Sequence, residues 1–459
     1  MTPPSCSDWR VFILHNDCRR VVFSDLVIDG NRLGLTSPDE QSHGIEVEGG
    51  TEDLLIDRCI LRDCFGDGVR LLGTAAAGKN VRRVRITNCL FQANKRSGLG
   101  IQRALEQIVV SHCMFDATVS DQDIDFEPTG ADAPTDLLIQ GCIINHTNAS
   151  VAVSLSGIGG ASPLLRCKFT DNIVLGGPVF CTDVDQLTVQ NNVVVVPDVG
   201  SKNRVPLQVQ RGGESLLISG NVLVNECAAT EAVISLSEVN QRQASRALVS
   251  NNLCITRAGR GIQCLSGDDV AIQGNMVVAT GSCAAGVFVR SESSGVDGVS
   301  VRDNDVTARG GRAWETGIRF AASPTNAIGD LSARDCWPLV QIAEPSLVAA
   351  RFEASTKRPA QCPTAWPRSA SRLPRPEILR RRLRDWHENF LDGCRLRVAT
   401  KTVNIQIALV DHTCVYPQTS LNMATSVEQE ARNFNLYMIR FASDKSPATV
   451  DQTRAAVKN

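Results

Sequence analysis

Four stretches of the chain share one eight-residue pattern: 187–194 read LTVQNNVV, 216–223 read LLISGNVL, 247–254 read ALVSNNLC and 270–277 read VAIQGNMV. Each has asparagine at its sixth position, between short apolar runs. Earlier copies, such as LLIDRCIL at 54–61, have cysteine there. The column formed by this position comprises Cys59, Cys89, Cys113, Cys142, Asn172, Asn192, Asn221, Asn252, Asn275 and Asn304. Its mean spacing of about 27 residues is typical of one coil of a solenoid.

A second alternating run follows each copy about ten residues later and usually opens with glycine. Examples are DGVRLL at 67–72 and SGLGIQ at 97–102. Alternation of apolar and other residues is typical of a strand with one buried face. No helical period occurs between residues 20 and 330. Short strands with glycine, asparagine and aspartate at the corners predict a parallel β-helix.

The repeated Cys/Asn column has a structural interpretation. Small polar side chains stacked at about 4.8 Å, the strand spacing, can hydrogen-bond along the column. Asparagine does this well, and cysteine fills the same position as a small apolar residue. The chain has 17 cysteines but no CxxC motif, so we predict buried thiols and neither a zinc site nor a disulfide scaffold.

Composition excludes several classes of protein. The chain has 459 residues, of which 43% are hydrophobic and 21% charged, and its net charge is −2. These values are typical of a globular protein, and no apolar run reaches the roughly 20 residues of a membrane helix. The near-neutral charge gives no reason to expect nucleic acid or a membrane as partner. The first 20 residues show no secretory signal.

The chain resembles the right-handed parallel β-helix proteins of the pectate-lyase-like superfamily over roughly residues 20–350. The resemblance is carried by the repeated asparagine column, by DLVIDGNR at 25–32, and by NKRSGLGI at 94–101 and DIDFEP at 123–128. It implies an all-β right-handed parallel β-helix of about eleven or twelve coils with a C-terminal extension. It also implies an extracellular or periplasmic location. The superfamily includes lyases, hydrolases, epimerases and non-catalytic spikes, so it does not fix the function.

Four segments are predicted along the chain. They are an N-terminal cap segment at 1–20, the β-helix at 21–354, a Pro/Arg-rich linker with a capping helix at 355–394, and a small appended segment at 395–459. Beyond about residue 355 the asparagine column ends and proline, serine and arginine become frequent.

Outward residues of the second run should form two columns, because adjacent coils lie about 4.8 Å apart. The first column comprises Glu46, Arg70, Gly100 and Asp125, and the second comprises Glu48, Leu72, Gln102 and Glu127. The corners before these runs add His43, Asp67, Lys95, Arg96 and Asp121. Carboxylates are confined to the first four coils in these columns, so a functional site is predicted at that end. Of this set, Glu46, Glu48, Asp67, Arg70, Lys95 and Gln102 are the expected substrate-binding residues.

Asp125, Glu127 and Arg96 are the candidate catalytic residues. Asp125 and Glu127 are two apart on one strand face, so their Cα atoms lie about 6.5 to 7 Å apart. That spacing suits inverting glycoside hydrolysis, in which one acid protonates the leaving oxygen and the other activates water. The plainer interpretation is a pair of solvated surface carboxylates. If the chain resembles the superfamily's lyases in mechanism, Arg96 or Lys95 would instead be the base and Arg70 would hold the substrate carboxylate.

Crowded carboxylates raise the question of a metal. Asp121 and Asp123 precede Asp125 and Glu127, and like charges at this density require a cation or a raised pKa. Arg70 or Arg96 could supply that cation, and calcium is the alternative. No cofactor is otherwise required. His43, His112 and His146 are interpreted as structural.

The sequence favours a carbohydrate-active enzyme, a polysaccharide lyase or glycoside hydrolase that acts on an acidic polysaccharide. Few aromatic side chains are available for stacking on neutral sugars: the whole chain has two tyrosines. Two other classes stay open, a non-catalytic surface or spike-like β-helix and a periplasmic β-helix module that serves another machine. A homo-oligomer is compatible with each.

Overall fold

The computed structural model describes residues 10–353 except 16, 35–39, 74–78, 104, 128–133, 148–150, 158–161, 199–203, 229–230, 239–242, 292–294, 309–313, 322–327, 335–339 and 344–347. From residue 328 onward it describes the backbone alone. The predicted segments at 355–394 and 395–459 lie outside the described residues.

Three parallel sheets, here called A, B and C, run the length of the described chain. Strands are numbered in chain order. Sheet A has 13 strands: β1 (Phe12–Leu14), β4 (Ile45–Glu48), β7 (Val69–Leu72), β10 (Leu99–Gln102), β13 (Ile124–Phe126), β16 (Val153–Ser156), β19 (Val179–Thr182), β23 (Leu207–Gln210), β26 (Ala232–Ser237), β29 (Arg260–Leu265), β32 (Cys283–Arg290), β36 (Trp314–Ala321) and β38 (Val340–Ala343).

Sheet B has 15 strands: β2 (Arg19–Ser24), β5 (Glu52–Asp57), β8 (Val81–Thr87), β11 (Leu105–Ser111), β14 (Thr135–Gln140), β17 (Leu164–Thr170), β20 (Val184–Asp185), β21 (Thr188–Gln190), β24 (Gly213–Ser219), β27 (Ala244–Ser250), β30 (Gly267–Gln273), β33 (Val296–Asp297), β34 (Ser300–Arg302), β37 (Ile328–Arg334) and β39 (Val348–Glu353).

Sheet C has 11 strands: β3 (Val27–Asp29), β6 (Ile60–Arg62), β9 (Leu90–Gln92), β12 (Met114–Asp116), β15 (Ile143–Asn145), β18 (Ile173–Leu175), β22 (Val193–Val196), β25 (Val222–Asn225), β28 (Leu253–Thr256), β31 (Met276–Ala279) and β35 (Asp305–Ala308). A short 3-10 helix spans Arg32–Gly34. Up to β35 the chain passes through sheets A, B and C in turn, and β36 to β39 alternate between sheets A and B. This order confirms the predicted all-β parallel solenoid. Within the described residues, no helix has the length and apolarity that crossing a membrane requires.

Alternate side chains of every sheet fill a single apolar core. In sheet A, Ile45, Val69, Leu99 and Ile124 lie side by side and are fully buried, as the alternation predicts. Phe91 and Phe115 stack at 4.6 Å between ring centroids in the same core. The buried apolar area supplies the main stabilisation of such a solenoid, because each coil covers the apolar face of its neighbour.

The turn between sheets B and C holds two residues, of which the second belongs to the asparagine column. In one coil they are Asn191, with a φ of 56°, and Asn192. The Nδ2 group of Asn192 donates to Phe169 O at 2.8 Å and to Asn221 Oδ1 at 3.0 Å. The backbone N–H of Asn192 donates to the same Oδ1 at 2.9 Å. The predicted hydrogen bonding along the column is therefore confirmed.

Cysteines take the same position in earlier coils. Cys113 is buried, and its thiol donates to Ile86 O at 3.5 Å, where an asparagine amide would otherwise donate. Burial raises the pKa of Cys113 well above its ordinary value, so the thiol stays neutral. Every described cysteine is a free thiol, and all but Cys18 are buried.

Candidate functional site on sheet A

The two outward columns predicted from sequence occur on sheet A. Glu46 pairs in register with Arg70, Arg70 with Gly100, and Gly100 with Asp125. Glu48, Leu72 and Gln102 form the second column in the same way. Glu127 follows β13, and its N–H donates to Ile101 O at 2.9 Å. The parallel register therefore places the carboxylates and guanidinium groups of four coils on one surface.

Gly100 lies at the centre of this surface. Only glycine fits there, because the carboxyl group of Asp67 occupies the space that a side chain would need. A Cβ placed on Gly100 would lie 2.6 Å from Oδ2 of Asp67. Asp67 belongs to the corner before β7, one coil earlier, so its carboxyl group reaches across to the next coil. Glycine is the residue that permits this close approach.

Asp125 is a nearly buried carboxyl group among other acids. Its exposure is 7%. Burial, together with the charges of Glu127, Asp121 and Asp67, raises the pKa of Asp125 to about 7, against the opposing effect of Arg96. The group can therefore hold or release a proton near neutral pH.

Glu127 has a different environment, although it lies only two residues further along. It accepts hydrogen bonds from Arg96 Nη2 and, at 2.7 Å, from Gln102 Nε2. Its side chain is 51% exposed. The strand thus presents a buried acid and an exposed, hydrogen-bonded carboxylate on one face.

Asp67 is buried more completely than Asp125. Its exposure is 1%, its Oδ1 atom has no hydrogen-bond partner, and Arg96 Nε lies 3.9 Å from that atom. Burial raises the pKa of Asp67 to about 7, although Arg96 and Arg70 oppose the shift. We call Asp67, Asp125 and Glu127 the carboxylate cluster.

Arg70 and Arg96 are two guanidinium groups whose charges act on the carboxylate cluster. Arg70 donates to Gln41 and, at 2.7 Å, to Oε1 of Gln102. Arg96 is 14% exposed and bonds Glu127. Burial lowers the pKa of Arg96, but the charges of Asp67 and Glu127 outweigh this effect and raise the pKa overall. The guanidinium of Arg96 therefore stays protonated.

His43 lies beneath Arg70 and was not among the predicted site residues. Its Nδ1 accepts the Asp67 N–H at 2.8 Å, and its Nε2 lies 2.9 Å from Arg70 Nη1. Burial and the charges of Arg70, Arg96 and Arg10 lower the pKa of His43 to about 2, so the ring is neutral. The sequence places His43 at the corner, but no motif indicates these contacts.

The two carboxylates of β4, Glu46 and Glu48, are paired with the first coil. Arg10 forms an ion pair with Glu46, and His15 contacts Glu48. Burial raises the pKa of Glu46, while Arg10 lowers it. These partners precede the first copy of the repeat, and the sequence pattern therefore gives no signal for them.

Lys95, Asp121 and Asp123 take separate positions around the carboxylate cluster. Lys95 Nζ lies 3.6 Å from the ring centroid of Phe65. Asp123 is buried below the surface, with Oδ2 at 2.7 Å from His146 Nδ1. Burial raises the pKa of Asp121. In the described part of the chain, no group of three or more His, Cys, Asp or Glu side chains is placed to hold a metal ion.

Residues 11–194 match the family model described as the right handed beta helix region. The predicted right-handed parallel β-helix is thereby confirmed. No curated protein sequence matches the chain significantly.

Solved structures with similar folds share little sequence with this chain. A double mutant of the periplasmic alginate epimerase AlgG is 14% identical, with a TM-score of 0.43, over 68% of this chain and 77% of that one. The Dettilon tailspike protein is 12% identical, with a TM-score of 0.38, over 71% of this chain and 61% of that one. DFA-IIIase from Arthrobacter chlorophenolicus in complex with GF2 is 13% identical, with a TM-score of 0.38, over 74% of this chain and 76% of that one. These similarities concern the fold alone.

Proposed function

We propose that this chain is a carbohydrate-active enzyme that hydrolyses an acidic polysaccharide at the carboxylate cluster. The observation that carries the proposal is the contrast between Asp125 and Glu127. One is buried with its pKa raised to about 7, and the other is exposed and hydrogen-bonded to a guanidinium.

Asp125 is assigned the role of general acid. A carboxyl group with a pKa near the working pH can donate its proton to the oxygen of the departing sugar and recover it from solvent. Its 7% exposure leaves a small accessible surface toward the outside of sheet A. The same combination of burial and neighbouring carboxylates tunes the acids of other glycosidases.

Glu127 is assigned the role of general base. Hydrogen bonds from Arg96 and Gln102 fix the position of its carboxylate. The two residues lie two apart along a strand, so their Cα atoms are about 6.5 to 7 Å apart. Inversion at the anomeric carbon requires the two carboxyl groups themselves to lie about 6.5 to 9.5 Å apart, with a water molecule between Glu127 and the sugar.

The two arginines support an anionic substrate. The charges of Arg70 and Arg96 both act on Asp67, and a uronate carboxylate bound nearby could accept their N–H groups. Proton abstraction by Arg96 itself is disfavoured, because Glu127 and Asp67 raise its pKa. β-Elimination with Arg96 or Lys95 as base is therefore the second candidate mechanism.

Four variants test the proposal: Asp125→Asn, Glu127→Gln, Arg96→Ala and the control Asp268→Asn. The control removes an exposed carboxylate of sheet B, far from the candidate site. Each protein is incubated with polygalacturonate, alginate and neutral dextran, while new reducing ends and the absorbance of unsaturated products are followed.

Hydrolysis predicts reducing ends without absorbance, which Asp125→Asn and Glu127→Gln abolish and Asp268→Asn leaves unchanged. Absorbance lost with Arg96→Ala would instead show elimination. Absence of product from each polymer, with unchanged binding by all four variants, would refute the enzyme and favour a non-catalytic β-helix.

A further inference from the structure

A second polar cluster lies on sheet A far from the carboxylate cluster. Gln263 in β29, Phe288 in β32 and Arg319 in β36 are neighbours in register. Arg290 lies two residues after Phe288 on the same face and is exposed. Arg260 approaches from the start of β29. We call Arg260, Arg290 and Arg319 the distal arginines.

Phe288 holds two of these guanidinium groups in place. Arg260 Cζ lies 4.1 Å from the ring centroid and Arg319 Cζ lies 6.0 Å from it. Both distances fall in the range of cation–π attraction. Arg260 Nη1 also donates to Gln263 Oε1 at 2.7 Å, and Gln263 Nε2 donates to Ser235 Oγ at 2.7 Å. A guanidinium group held over a ring, as that of Arg319 is, can present its N–H edge to an anion.

The distal arginines concentrate positive charge. Since both Cζ atoms lie close to one ring, they are within about 10 Å of each other, which is comparable to the Debye length at physiological ionic strength. No carboxylate of the described residues forms an ion pair with Arg290 or Arg319, and the buried Nε of Arg319 has no hydrogen-bond partner. This arrangement favours a bound anion over a solvated pair of cations.

The surface between the two clusters carries no charge in its central column. From Asp125 the column continues through Ser154, Phe180, Gln208 and Ser235 to Gln263. β32, which bears Phe288, is six strands along from β13, so the clusters are about 29 Å apart. An uncharged column of side chains, polar except for Phe180, therefore joins an acidic site to a basic one.

We propose that the distal arginines form a second binding subsite, which takes the carboxylate groups of an acidic polysaccharide whose chain lies along sheet A. This subsite rests on the proposed function for the identity of the polymer and adds a requirement for length. A chain long enough to reach from the carboxylate cluster to Phe288 gains the arginine contacts, and a trisaccharide does not.

Binding is measured by titration calorimetry in Asp125→Asn protein, so that no polymer is cut. The added variants are Arg319→Gln, Arg290→Gln and the control Arg302→Gln. Arg302 is an exposed arginine of β34 in sheet B, and its substitution changes the net charge equally. The probes are polygalacturonate, alginate, the trisaccharide of galacturonate and neutral dextran.

Arg319→Gln and Arg290→Gln should each weaken the binding of the responsive acidic polymer by about tenfold, which is the range of one charge-assisted hydrogen bond. Arg302→Gln should leave it unchanged, and all three should bind the trisaccharide alike. Thermal unfolding of each variant confirms its fold, and Arg290→Gln, at an exposed position, keeps the test valid if Arg319→Gln does not fold.

Equal polymer affinity in all three variants would overturn the distal subsite, even if the enzyme cuts the polymer. Arginine-dependent binding without any cleavage by the unchanged chain would leave the subsite standing and refute only the hydrolase. Failure of the chain to bind either acidic polymer would overturn both.

Discussion

Replacing Asp125 with asparagine tests whether burial sets the ionisation of the carboxylate cluster. The change keeps the shape of the side chain and removes its charge. In the folded chain the pKa of Asp125 is raised from 3.8 to about 7, and the residue is 7% exposed. Between these two pKa values the folded state therefore binds the proton more tightly than the unfolded state.

Proton linkage gives the direction of the effect. A carboxyl group with a raised folded pKa lowers the free energy of unfolding as pH rises through the interval between its unfolded and folded pKa values. From pH 5 to pH 8 the chain crosses about two units of that interval, at about 1.4 kcal/mol per unit. Ionisation of Asp125 should therefore lower the free energy of unfolding of the unchanged chain by about 3 kcal/mol between pH 5 and pH 8. The asparagine variant should lack this contribution.

The assay is urea unfolding followed by circular dichroism at pH 5 and at pH 8. Asp268→Asn, at an exposed position of β30, serves as control and should keep the full difference between the two pH values. If Asp125→Asn loses as much unfolding free energy as the unchanged chain between pH 5 and pH 8, burial does not hold this carboxyl group protonated.

Three further substitutions test other parts of the structure by urea unfolding. Asn221→Ala should cost about 2 to 4 kcal/mol, because buried groups of two adjacent coils lose their hydrogen bonds, and a loss below about 1 kcal/mol would contradict this role. Gly100→Ala should cost about 1 to 3 kcal/mol through its clash with Asp67, and addition of Asp67→Ala should reduce that cost. His146→Leu should cost about 3 kcal/mol by leaving Asp123 unpaired, and a double-mutant cycle with Asp123→Leu should show coupling between them.

The sequence was sufficient for the fold and for the register of the candidate site. The Cys/Asn column recurs in each copy of the repeat, as cysteine in the first four and as asparagine in the later six, so it fixes the phase of each strand. Alternation then decides which side chains face outward. Glu46, Arg70, Gly100 and Asp125 could be aligned in this way because they share a strand position. Their predicted alignment is the one observed on sheet A.

The contacts made at corners could not be predicted, because no alternation governs them. Asp67 reaches over Gly100 and becomes a second carboxyl group with a raised pKa, whereas its corner position alone indicated only substrate binding. Lys95 lies next to Arg96 in sequence but contacts Phe65. Arg10 precedes the repeat, so its ion pair with Glu46 is visible only in three dimensions.

The two-residue turn between sheets B and C determines where the chain can tolerate change. Successive asparagines of the column are separated by as few as 20 residues and by as many as 31, yet the turn keeps its length. An insertion at another corner is therefore corrected within one coil, since the next asparagine restores the phase of everything that follows. Loops beside sheet A can lengthen or shorten without shifting the columns below them. Evolution or design could thus alter the surface beside sheet A while leaving the scaffold untouched.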